Sequence, residues 1–225
     1  MKLVLVRHGE TYANVINHTG KTLYTGNLNN SLTDLTEKGI YSAKKLAECK
    51  EIQDIQVVFC SDLNRAIDTA KFAKPGYDLI IDKRLRERDL GAFEGKEKKE
   101  LFKSEEYMKY ILDSRFNRFK EDFIQKAPEG ESYEDVSKRV KSFIESLELD
   151  DEVTIGIFSH MHCIRCLLLN LFDIQPKERV FDLKIKKCEP YVVEKTRGTK
   201  AKLLSHQLED LFTMSNKTRL IDMEK

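Results

Sequence analysis

Hydrophobic positions along the chain follow two periods. Leu3-Val4-Leu5-Val6 is an unbroken apolar run that stops abruptly at Arg7-His8-Gly9. Such a run predicts a central parallel strand buried on both faces, whose carboxyl end opens into a site. Gln56 to Cys60 and Val153 to Phe158 read as further buried strands, the latter ending in Ser159-His160 much as the first ends in Arg7-His8, and Tyr77 to Asp82 reads as another strand. Between them the apolar positions take helical spacing. Ile40, Ala43, Leu46 and Ala47 follow Thr36 as an N-cap. Ser61 or Asp62 is the expected cap of a helix carrying Arg65 in its first turn. Ser132 and Asp135 have capping-box spacing ahead of Val136, Val140, Phe143 and Leu147, and Ile164, Leu167, Leu168 and Leu171 form a last strong stripe. Strands alternating with helices predict an α/β fold, a three-layer α/β/α sandwich with a largely parallel central sheet.

The remaining stretches are less regular. Residues 10 to 34 are rich in Asn, Thr and Gly and read as a long loop or an irregular helical start at a strand end, a place where long ordered loops are usually functional. Residues 96 to 127 interleave charges with Leu101, Phe102, Tyr107, Met108, Ile111, Leu112, Phe116, Phe119 and Phe123. They predict one or two amphipathic helices inserted between core elements, either closing a small core of their own or forming a lid over the site. Lys187 to Lys195 suggests an edge strand or hairpin, Leu203, Leu204, Leu208 and Leu211 a final amphipathic helix, and residues 213 to 225 a loose polar tail. The whole, residues 1 to 225, reads as one domain.

Composition narrows the function. The chain has 225 residues, enough to bury a full core, and 39 basic against 38 acidic side chains give a net charge of +1. Any preference for anions must then be local, which argues against nucleic acid or membrane partners. The N-terminal apolar run is too short for a signal peptide and enters Arg-His, and nothing later has the length of a membrane span, so the expected location is the cytoplasm. Five cysteines make no disulfide framework.

Two decoys surround the candidate chemistry. Gly20-Lys21-Thr22 resembles the end of a phosphate-cradling loop, but Val15 stands where an earlier glycine is required and no strand immediately precedes it. His160-Met161-His162-Cys163 with Cys166 could bind zinc or form a redox pair. Against both, no second ligand pair is evident and the cysteines fall inside an apolar helix, where a buried thiol behaves as a small hydrophobe.

The string Leu5-Val6-Arg7-His8-Gly9-Glu10-Thr11 resembles the signature of the histidine phosphatase superfamily, which includes the cofactor-dependent phosphoglycerate mutases. Ser61-Asp62-Leu63, Arg65-Ala66 and Thr69-Ala70 resemble its second motif, and the likeness extends to about residue 171. The resemblance implies a phosphoryl-transfer site with His8 as a nucleophile that becomes phosphohistidine, Arg7 and Arg65 forked onto phosphate oxygens, Glu87 as proton donor and His160 as a second histidine donating a hydrogen bond. Asn14 matches a phosphate-contacting asparagine, and Thr25-Gly26 lies where mutases touch substrate. Met161 stands where the family commonly has glycine, so its bulk narrows the pocket while its backbone N–H remains. The implied activity is metal-independent hydrolysis of a small phosphorylated substrate, with no cofactor. A mutase-like isomerase is the alternative, although the mutases' long substrate-binding insertion is not recognisable between Glu94 and Pro128.

Overall fold

The computed structural model describes residues 1–116, 118–147, 152–196 and 199–212. In chain order it contains β1 (Lys2–Arg7), α1 (Tyr12–His18), α2 (Glu37–Leu46), α3 (Lys50–Gln53), β2 (Val57–Cys60), α4 (Asn64–Ala73) and β3 (Leu79–Ile81). It continues with α5 (Lys98–Leu101), α6 (Glu105–Ile111), α7 (Tyr133–Ser146), β4 (Thr154–Ser159), α8 (Met161–Phe172), β5 (Pro190–Glu194) and β6 (Lys202–Leu203), with several short 3₁₀ turns between. The sheet order is β3-β2-β4-β1-β5-β6. The first four strands in that order run parallel, and β5 and β6 return antiparallel.

The period-two geometry of a strand explains why β1 is apolar from Leu3 to Val6. Leu3 and Leu5 enter one core with Val136, Val140 and Phe143 of α7 and the apolar side of α8. Val4 and Val6 enter a second core on the other face, with Leu46 of α2, Ile52 of α3 and Ala66 and Ala70 of α4. A third cluster, Tyr24, Leu90, Phe93, Leu101, Phe119 and Ala127, lies apart from both. It joins Leu101, Phe119 and Ala127 of the inserted stretch to Tyr24, Leu90 and Phe93 from outside it, with Tyr107, Tyr110 and Ile111 packed against them, whereas Phe123 belongs to the first core.

Two helix caps fall where their residues predict. Thr36 accepts from the Gly39 N–H, and Ser132 and Asp135 complete the capping box of α7. Other expectations need correction. The cap of α4 is Leu63, with no side-chain hydrogen bond. Asp62 is held instead by Arg86 at 2.6 Å, and Ser61 Oγ faces His160. The strand within residues 187 to 195 is not at the edge but lies between β1 and β6, with β6 as its antiparallel partner, as the hairpin alternative has it. Leu203, Leu204, Leu208 and Leu211 form no helix: Lys202–Leu203 pairs with β5 and Leu208–Leu211 is a 3₁₀ turn. The inserted stretch holds two short helices, α5 and α6, followed by turns. Residues 213 to 225, expected as a tail, lie outside the described residues.

Gly9 has a different reason from the turn its sequence suggests. A Cβ there would meet the Gly39 carbonyl oxygen at 2.8 Å, and a Cβ on Gly39 would collide with the backbone of Glu10. Both glycines let the exit of β1 rest directly on the first turn of α2.

Candidate active site

Register brings the two histidines together. Arg7 of β1 stands beside Ser159 of β4, so His8 and His160 follow side by side at adjacent strand ends, with ring centroids 5.2 Å apart. Each is buried. His8 Nδ1 lies 2.7 Å from the Gly9 carbonyl oxygen. A carbonyl only accepts, which assigns the proton to Nδ1 and leaves the lone pair on Nε2. Burial, then the charges of Arg65 and Arg7, hold the imidazole pKa well below its ordinary value, so the ring is neutral. The Gly9 N–H donates to Thr69 Oγ1, which itself donates to the Arg65 carbonyl oxygen, tying this turn to α4.

Arg65 is buried, and its two terminal nitrogens donate to the carbonyl oxygens of Leu28 and Gly26, each at 2.8 Å. Burial lowers its pKa to about 10, which leaves it a cation at neutral pH. Arg7 donates through Nη1 to the Ile185 carbonyl, and among the described residues its buried Nε has no hydrogen-bond partner. A guanidinium whose donors are incompletely satisfied beside a neutral imidazole is a ready anion site.

Of the arginines around Glu87 in sequence, Arg84 pairs with Asp82 and Arg86 with Asp62, which leaves Arg88 as the one whose charge acts on it. Glu87 Oε1 accepts from the Arg88 and His162 backbone N–H groups at 2.9 and 3.0 Å. His162 Nδ1 lies 3.0 Å from the same oxygen, off the axis of a well-formed hydrogen bond. Burial favours the neutral acid, but His162, His160 and the Arg88 N–H outweigh it, so the carboxyl sits well below the usual range. His160 makes its contact through Nε2, 2.9 Å from Ser61 Oγ, and among the described residues its buried Nδ1 has no hydrogen-bond partner.

A cavity of about 350 Å³ opens over these groups. Arg7, His8, Arg65 and Glu87 line it together with Asn14, Thr25, Gly26 and Met161; His160 is packed behind His8 and does not reach its wall. Asn14 Oδ1 accepts from the N–H of Thr11, the N-cap of α1, completing a capping box, and among the described residues its Nδ2 makes no hydrogen bond. Gly26 has φ of 41°, and a Cβ there would collide with the Glu94 carboxylate. Further polar side chains that the phosphatase motifs did not assign also stand in the wall, among them Arg88, Lys120, Tyr133, His162 and Arg165. Lys120 stands 4.3 Å over the Tyr24 ring, and burial, with Lys98 and Arg88 nearby, pushes its pKa down to about 8.

The cluster that could have been a metal or redox centre is part of the core. Cys163 and Cys166 are fully buried on α8, their thiols facing the Arg84 and Tyr133 carbonyl oxygens, and burial pushes both pKa values up, that of Cys163 to about 11. His162 instead belongs to Glu87. Among the described residues no group of three His, Cys, Asp or Glu side chains is arranged to hold a metal ion.

A sequence profile described as the histidine phosphatase superfamily (branch 1) matches residues 3–207. The chain belongs to that superfamily. Adenosylcobalamin/alpha-ribazole phosphatase of Salmonella typhimurium is 32% identical over 180 residues, 77% of this chain and 81% of that protein. A 2,3-bisphosphoglycerate-dependent phosphoglycerate mutase 2 of Gloeobacter violaceus is 31% identical over 202 residues, 85% of this chain and 84% of its own. Among solved structures, the alpha-ribazole phosphatase of Shigella flexneri superimposes with a TM-score of 0.73 at 27% identity, covering 91% of this chain and 95% of that one. Among the described residues the fold is an α/β sandwich on a mostly parallel six-stranded sheet, and it superimposes on that phosphatase over nearly its whole length.

Proposed function

We propose that this chain is a phosphomonoester hydrolase that passes the phosphoryl group through His8. The observation that carries the reading is the His8 imidazole: neutral, with Nδ1 tied to Gly9 and Nε2 left as the nucleophilic nitrogen beside two guanidinium groups. Phosphatase-named relatives in the same superfamily support it.

In the first step the Nε2 lone pair forms a bond to phosphorus and the bond from phosphorus to the ester oxygen breaks. Arg7 and Arg65 take the charge of the equatorial oxygens, and the Asn14 amide is a further donor, while His160 packs against the His8 ring from off the cavity wall. Glu87 gives its proton to the departing oxygen. In the second step the Glu87 carboxylate takes a proton from water as the water oxygen bonds to phosphorus, the N–P bond breaks, and inorganic phosphate leaves. The free carboxyl is ionised, so the proton enters with the substrate: a phosphate dianion raises the Glu87 pKa by like charge, and a monoanion carries the proton itself.

Thr25, Gly26 and Met161 shape the cavity around the ester group, and the 96–127 stretch serves as its lid. The substrate is a small phosphorylated molecule. Nothing in the chemistry calls for a metal or cofactor, and the site of action is the cytoplasm; among the described residues no helix is long and apolar enough to cross a membrane. Hydrolysis of an aryl phosphate in excess chelator, by the parent and by His8→Ala, tests the reading. Activity that survives chelation and disappears with His8 is expected; chelator-sensitive activity, or activity that persists in His8→Ala, contradicts it. Phosphate exchange between isomeric phosphoglycerates would move the assignment to the mutase side.

A further inference from the structure

Every contact to the Glu87 carboxylate falls on one oxygen. Oε1 receives the Arg88 N–H, the His162 N–H and the His162 imidazole; among the described residues no hydrogen bond reaches Oε2. The imidazole contact is informative because of its length. A nitrogen lone pair and a carboxylate oxygen repel at 3.0 Å, so the proton is placed on Nδ1, where it attracts Oε1 electrostatically although it lies off the axis of a well-formed hydrogen bond. His162 is the second residue of α8, and about a fifth of its side chain faces the cavity that holds His8. Its ring is fixed edge-on against Tyr133, whose hydroxyl accepts from Arg165.

We propose that His162 is a positioning residue for Glu87: it holds Oε1 through both main chain and imidazole, leaving Oε2 as the atom that gives and takes the proton at the ester oxygen. The inference rests on the phosphatase reading above for the step it affects, but the contact itself is independent of that reading. Arg88 lies beside both groups, with Arg165 and Tyr133 facing the imidazole from α8 and α7. The carboxylate faces His160 and the charges of Arg7 and Arg65, and Arg139 of α7 donates to the Glu87 carbonyl oxygen. With the imidazole removed, burial becomes the dominant influence on the carboxyl and raises its pKa.

The test compares His162→Leu with His162→Asn, whose amide can restore a donor near Oε1. On an alkyl phosphate, whose poor leaving group needs the acid, kcat of His162→Leu falls about 10- to 100-fold with KM changed less than about threefold. On a nitrophenyl phosphate the loss is smaller, and the limb of the kcat profile that reports the carboxyl moves to higher pH. His162→Asn recovers most of the loss. Equal losses on both substrates, or an unmoved profile, overturn the proposal. A readout that needs no turnover separates it from the phosphatase reading: carbon NMR titration of the Glu87 carboxyl. An upward shift in His162→Leu and a parent-like value in His162→Asn are expected even if no ester is hydrolysed; identical titration in all three proteins refutes the role.

Discussion

Arg65 and Lys120 bring positive charge into the same cavity from opposite kinds of structure. Arg65 stands in the first turn of α4, packed under the strand ends, with both terminal nitrogens fixed on carbonyl oxygens. Around it, strand register sets His8 beside His160, and Thr69 ties the Gly9 turn to the same helix. Lys120 comes from the turns after α6, and its setting is a cluster of rings, Tyr24, Phe93 and Phe119, with Nζ stacked on Tyr24. One region is organised by a sheet that spans the molecule, the other by a small local core. The first suits groups that must meet a reacting atom within a fraction of an ångström. The second suits groups that shape and admit a ligand.

If this division holds, substitutions at the strand ends change kcat and substitutions in the ring cluster change KM. Glu87→Gln gives the largest separation: kcat on an alkyl phosphate falls about 10³-fold, and the deficit shrinks on an activated aryl phosphate that leaves without a proton. Equal deficits on both esters would remove Glu87 from the proton-donor role.

The strand-end region also predicts an acid limit on stability. Burial lowers the pKa of His8, His160 and His162 below the ordinary value of 6.5. Between that value and the folded pKa the unfolded chain binds protons that the native state does not, so stability is full above pH 6.5 and is lost as pH falls. Each histidine contributes about 1.4 kcal/mol per pH unit, about 4 kcal/mol for the three. Denaturant midpoints between pH 7 and 5 check this, and a flat profile contradicts it. His160→Gln should reduce the slope by about one proton.

Arg65→Lys keeps the charge but loses the fork, and the carbonyls of Gly26 and Leu28 lose their partner. A fall in kcat/KM of about 10²-fold is expected, most of it in kcat. Lys120→Met gives the smallest effect: KM rises about three- to tenfold at pH 7 with kcat unchanged, and the parent's rise in KM as pH passes about 8, where Lys120 discharges, disappears. A change in kcat as large as that from Arg65→Lys would erase the distinction between the two regions.

The same distinction separates what could be read along the chain from what could not. β1 was legible because both its faces are buried, which leaves no polar position to confuse the run. The starts of α2 and α7 were legible because Thr36, Ser132 and Asp135 serve groups within three residues of themselves. The start of α4 was not, because Asp62 serves Arg86 from a distant segment and Ser61, besides accepting from the Leu63 N–H just ahead of the helix, is engaged by His160. The C-terminal leucines mislead for a similar reason: a two-residue pairing with β5 overrides helical spacing. In the cavity, Arg7, His8, Arg65 and Glu87 sit in short motifs at strand and helix ends. Lys120 and His162 acquire meaning only from Tyr24 and Glu87, 96 and 75 residues away in sequence. Spacing carries no trace of such contacts.

The central claim is the covalent passage of phosphate through His8. Rapid quenching of the parent with a ³²P-labelled ester into alkali, followed by peptide mapping, tests it most directly. Label that is stable in alkali, labile in acid, located on His8 and absent from His8→Ala is the predicted result. Steady turnover of the ester with no protein-bound label at any quench time, or with label on another residue, would contradict it.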